Sequence, residues 1–125
     1  MEELINNDYL IALSISWIVA GWIHQVKAVC NAAFDSVLLY DTPLYAIFTS
    51  VPFLAIITSL VINIFIAGFL STLCYIGILI VVQLININIL FRIYLAIFGY
   101  SGIGAVVPMI SIIPLIIWVF MAQFA

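Results

Sequence analysis

The stretch TPLYAIFTSVPFLAIITSLVINIFIAGFLSTLCYIGILIVVQLININILF, residues 42–91, runs for fifty residues without one charged side chain. As a single helix it would rise roughly 75 Å, more than twice a hydrocarbon core of about 30 Å. It has to fold back on itself. The weak point is Gly68-Phe-Leu-Ser-Thr72, where a tight turn is expected. Two membrane spans follow from this one stretch, over about residues 44–70 and 73–91. Pro52 is a kink site of the kind that lipid-buried helices tolerate.

Upstream, Tyr9 to Val26 is apolar except for Ser14, Ser16, His24 and Gln25. A cleaved signal would open with a basic region, whereas this chain opens Met-Glu-Glu, so residues 9–26 are read as a retained first span. Trp22, His24 and Lys27 are the expected interfacial anchors at its far end, because indole rings favour the headgroup level. From Ala28 to Tyr40 hydrophobicity drops. Lys27, Asn31 and Asp35 recur every four residues, with Val29, Ala32, Ala33, Val37 and Tyr40 on the other side. Such a segment either forms a short amphipathic helix in the interface plane or prolongs the first span. Thr42-Pro43 then interrupts it.

Downstream, Arg92 is expected to anchor the end of the third span, with Tyr94 at the same level. Gly99-Tyr-Ser-Gly-Ile-Gly104 reads as a turn, and a last span covers about residues 105–124, made irregular by Pro108 and Pro114. Four spans place Lys27 and Arg92 on one membrane face. The positive-inside rule then puts both termini on the outer side. The expected fold is an all-α membrane protein with about four transmembrane helices and a short amphipathic interfacial segment after the first. It forms a single integral membrane domain over residues 1–125.

Composition agrees with lipid as the main solvent. Hydrophobic residues make up 69% and charged residues 6% of the chain. Mean hydropathy is +1.47, whereas soluble domains are roughly 45–50% apolar and 25% charged. A net charge of -3 with only two basic residues leaves no electrostatic footprint for a nucleic-acid partner. Cys30 and Cys74 fall in different segments and read as free thiols rather than a disulfide framework.

Chemistry is bounded by what is missing. Spans two to four contain no ionisable side chain of the kind that proton relays and coupled transporters place in the membrane. His24 is the only histidine and, even with Cys30 and Asp35, falls short of a zinc site; no metal or cofactor is expected. No HExxH, GxSxG, phosphate-binding glycine loop or Ser-His-Asp set occurs, so the chain is read as a non-enzyme without catalytic residues. What remains is uncharged and polar. Pro52, Ser59, Asn63 and Ala67 lie near one stripe of span two, and Gln83 and Asn86 share a face of span three. Ser59, Asn63, Gln83 and Asn86 are therefore candidates for helix packing or for lining a pore.

Thr58-Ser-Leu-Val-Ile-Asn-Ile-Phe-Ile-Ala-Gly-Phe-Leu70 resembles the second span of the small four-helix fluoride channels, which carry a similar Val-Asn and glycine run. The likeness covers thirteen residues. That family's glycine-rich break in the third span has no counterpart in Ser71 to Phe91, so its function is not carried over. The leading expectation is a non-enzymatic structural or assembly subunit of a larger membrane complex or of a lipid-containing virion. Its partners would be the bilayer and other membrane helices, in a homo- or hetero-oligomer. The alternative is a small oligomeric channel or holin-like pore in which Asn63, Gln83, Asn86 and Asn88 face a lumen.

Overall fold

A computed structural model describes residues 7–32, 42–99 and 103–124. Its elements are α1 (Asn7–Ala32), α2 (Pro43–Ala67), α3 (Phe69–Ile85), a π-turn (Asn86–Leu90), α4 (Phe91–Phe98) and α5 (Ile103–Phe124). No strand occurs among the described residues. Since α3, the π-turn and α4 run on without a break, the elements make four helical spans long and apolar enough to cross a bilayer.

Local chemistry explains the ends. Thr42 sits in extended conformation, its hydroxyl accepting from the Tyr45 N–H at 3.3 Å, and Pro43 takes the first helical position. At the other end of α2, Gly68 adopts φ +95 and its N–H donates to the Ile64 carbonyl at 3.1 Å. The turn expected over Gly68–Thr72 shrinks to that one glycine. The Thr72 hydroxyl and N–H both return to the Gly68 carbonyl, at 3.1 and 3.3 Å, so α3 can start at once. Gly99, φ +74, closes α4 in the same way.

Several boundaries differ from the sequence reading. The first span extends without a break to Ala32, which favours prolongation over a separate interfacial helix for residues 28–32; residues 33–41 lie outside the described ones. The third span begins at Phe69 and reaches Phe98, so Arg92 sits within it rather than after it. A local widening makes this continuation: the Phe91 N–H bonds back five residues, to Asn86. Despite Pro108 and Pro114, α5 is one uninterrupted helix of 22 residues.

Long-range contacts set the register. Tyr9 meets Ser59, and Tyr45 donates to the Ile23 carbonyl, so α2 runs antiparallel to α1. Tyr9 meets Tyr75, and Trp22 meets Asn86, so α3 runs parallel to α1. Gln123 meets Ser59 and Gly104 meets Tyr94, which makes α5 parallel to α2. The start of α1 and the end of α5 thus share one face of the bundle, called here the terminal face. Lys27 lies toward the opposite, cation face. Asp8 and Lys27 are nineteen residues apart, roughly 29 Å of helix, and so bracket one hydrocarbon thickness.

Helix α1 is the hub. Ala12, Leu13, Ser16, Val19, Ala20 and Ile23 are buried, and its main neighbour is α5, which contributes Met109, Ile112, Val119 and Ala122. The other helices turn Ile, Leu, Val and Phe side chains outward, as hydrocarbon allows.

Candidate functional site: polar clusters between the helices

Two polar clusters hold the helices together, one at the terminal face and one deeper. At the terminal face, the Tyr9 hydroxyl lies 2.6 Å from Ser59 Oγ, and Ser59 Oγ lies 3.1 Å from Gln123 Oε1. Gln123 Nε2 donates to the Ser59 carbonyl at 2.7 Å. One turn further along α2, Asn63 Nδ2 donates to Thr72 Oγ1 at 2.9 Å and more weakly to Ser71 Oγ at 3.4 Å. Ser59, Asn63, Ser71 and Thr72 are all buried. Hydrocarbon offers no partner to these groups, so each amide and hydroxyl finds one on a neighbouring helix.

The second cluster forms where α1 and α3 approach closely at Gly21. Asn86 is fully buried at the first position of the π-turn, and its Oδ1 accepts from Trp22 Nε1 at 2.6 Å. Its Nδ2 faces the Ile18 carbonyl at 3.4 Å and Gln83 Oε1 at 3.5 Å. A Cβ on Gly21 would stand 3.0 Å from Asn86 Nδ2 and 3.2 Å from Gln83 Oε1, so glycine leaves room for both amides beside α1 and lets Asn86 reach its backbone. Gly21 precedes Lys27 by six residues, which puts the cluster roughly 9 Å inside the hydrocarbon edge.

Toward the cation face, tyrosines donate to main-chain carbonyls. Pro108 has no N–H to give the Gly104 carbonyl four residues back; the buried Tyr94 hydroxyl supplies the missing donor at 2.5 Å. Tyr94 also stacks on Trp22 with ring centroids 4.6 Å apart. His24 Nε2 lies 3.0 Å from the Thr49 carbonyl, and Lys27 Nζ sits 5.9 Å from the Tyr45 ring centre.

The sequence-derived candidates therefore fall in different places. Ser59 and Asn63 are buried in the terminal-face cluster, and Asn86 with the half-buried Gln83 in the deeper one. Pro52 is buried on the same stripe, whereas Ala67 is exposed. Asn88 is exposed and turns its Nδ2 back to the Leu84 carbonyl at 2.8 Å. Of the four anchor residues, Trp22 is engaged by Asn86 and Tyr94, His24 by Thr49, Lys27 lies near Tyr45, and Arg92 is exposed on α4. Sequence reasoning missed Tyr9, Gly21 and Gln123, and placed Tyr94 beside Arg92 without its bond to the Gly104 carbonyl. Only Tyr94 had a local clue, since a proline inside a span always leaves a carbonyl seeking a donor.

Among the described residues no group of His, Cys, Asp or Glu gathers to hold a metal ion, and Cys30 and Cys74 form no disulfide. The geometry defines an all-α membrane protein of four spans in which two clusters of internal polar groups join helix to helix, while Ser16 Oγ, Trp17 Nε1 and Gln25 Oε1 are buried without a hydrogen-bond partner among the described residues. No family model, curated protein or solved structure matches the chain.

Proposed function

We propose that the chain is a non-enzymatic structural or assembly subunit, packing through its helices into a larger membrane complex or the membrane of a lipid-containing virion, with both termini on the outer side. The observation that carries this reading is Gln83. Its amide lies beside Gly21 of α1 with Oε1 3.5 Å from Asn86 Nδ2, and its Nε2 has no hydrogen-bond acceptor among the described residues although the side chain is half-buried and well inside the hydrocarbon. Lipid tails offer that amide nothing, so an acceptor on another membrane helix is the partner it fits. The buried amides of Asn63 and Asn86 are occupied within the bundle.

A small oligomeric channel or holin-like pore is the second reading, favoured by one observation: Asn88 is exposed on the same span as Gln83. Extraction into native-lipid particles, followed by sizing and mass spectrometry, separates the two. Co-purifying membrane partners that are lost in Gln83→Leu support the subunit reading. A ring of this chain alone, with liposome ion flux abolished by an Asn63→Leu, Gln83→Leu double variant, would overturn it in favour of a pore.

A further inference from the structure

Helices α2 and α5 are clasped at the terminal face by the Ser59–Gln123 bonds and stand apart toward the cation face. Between them lie two adjoining clefts of about 310 and 210 Å³. Phe48 and Ile113 border both, so the clefts form one groove, and every residue lining it is apolar. Along α2 it runs from Leu44 to Pro52, and along α5 from Val106 to Ile117.

The groove's length identifies its occupant. The eight rises from Leu44 to Pro52 and the eleven from Val106 to Ile117 correspond to roughly 12 and 17 Å of helix, against about 15 Å for one leaflet of a 30 Å hydrocarbon core. It starts near the cation face and stops near the bilayer midplane. A transmembrane helix needs contact through both leaflets and is too long for a groove that ends near the midplane. An extended polymethylene chain of one leaflet matches that end point. At the open end, Lys27 Nζ sits 5.9 Å from the ring of Tyr45, the neighbour of Leu44, which brings a fixed positive charge to headgroup level.

We infer that this groove is a binding site for one phospholipid of the cation-face leaflet, with an acyl chain between α2 and α5 and its phosphate beside Lys27. The inference concerns lipid and stands apart from the helix-packing role of Gln83.

Native mass spectrometry of the full chain, released from nanodiscs of phosphatidylcholine and phosphatidylglycerol at three to one, tests it. One phospholipid per chain is expected to survive release. Ile113→Trp fills the groove from a half-exposed, lipid-facing position and should lower that retention at least tenfold. Ile89→Trp, on the opposite span and equally exposed, should leave it unchanged and controls for folding. Lys27→Gln should keep the lipid but reduce the preference for phosphatidylglycerol several-fold. Equal retention in Ile113→Trp and Ile89→Trp, or no retained lipid in the parent chain, would overturn the acyl site. An unchanged headgroup preference in Lys27→Gln would overturn the assignment of Lys27 as the charge partner of the headgroup. Efficient disulfide cross-linking of two copies through Val51→Cys in the Cys30→Ala, Cys74→Ala background would show that protein occupies the groove instead.

Discussion

Helix α1 and the α3–α4 span cross the same bilayer but use their surfaces in opposite ways. Within an 18-residue apolar stretch of each span, 50% of the α1 residues are buried inside the bundle against 17% in Phe69–Phe98. Yet α1 is the span richer in polar and small residues, with Ala12, Ser16, Ala20 and Gly21 on its buried side, while α3 and α4 turn Ile80, Val81, Leu84, Ile93 and Ile97 outward. In water the apolar residues would have claimed the interior. In hydrocarbon nothing drives a leucine inward, because lipid tails are as apolar as leucine itself. Interior places go instead to side chains that let backbones approach and to polar groups that need a partner. The helix with the weakest membrane signature becomes the centre of the protein.

That contrast can be broken most severely at Gly21. In Gly21→Leu the new side chain has to displace Asn86 and Gln83, and overpacking of this kind should lower bundle stability by about 3 kcal/mol in reversible detergent unfolding from bicelles. A stability equal to that of the parent chain would mean that α1 does not dock on α3 there.

Next in size comes Asn86→Leu, which removes the acceptor of Trp22 and should cost about 2 kcal/mol. In a double-mutant cycle with Trp22→Phe, a coupling of roughly 1 kcal/mol is expected, within the range seen for hydrogen bonds between membrane helices. Zero coupling would assign the loss to packing rather than to the bond.

A sharper test uses Tyr94→Phe, which leaves the Gly104 carbonyl without a donor and should cost about 1 kcal/mol. In a Pro108→Ala background, residue 108 regains an N–H for that carbonyl, and the same substitution should become nearly neutral. An undiminished cost would show that Tyr94 acts through its stacking on Trp22.

The smallest effect belongs to the lipid-facing side. Phe65 is 85% exposed, and Phe65→Leu should change stability by less than about 0.5 kcal/mol in the same assay. A larger loss would reveal a partner covering that surface.

Much of the architecture was legible in the residues alone. Four spans follow from uncharged lengths measured against bilayer thickness, and Gly68 and Thr42-Pro43 mark turns through backbone chemistry that needs no neighbour. The stripe carrying Ser59 and Asn63 was visible as helical spacing. Their partners were not: Ser59 is answered by Tyr9, fifty residues away, and by Gln123, sixty-four away. Asn86 likewise depends on a close approach at Gly21 that no spacing along α3 could announce. The run on through Arg92 to Phe98 was hidden because a lone arginine reads as a boundary, whereas a long side chain can extend to the headgroups from inside a helix.

The sequence by itself determined that lipid is the solvent, that the chain crosses it four times, and which few polar side chains are available inside. Those are local properties: hydrophobic length, backbone propensity and the absence of charge. Only the tertiary structure decided that α1 is central, that Ser59 pairs with Gln123 rather than facing a lumen, and that α2 and α5 part to leave a half-bilayer groove. Each depends on how the helices are rotated and ordered around one another, and in a uniformly apolar chain that arrangement is settled by a handful of polar and small residues meeting across distances the sequence does not display.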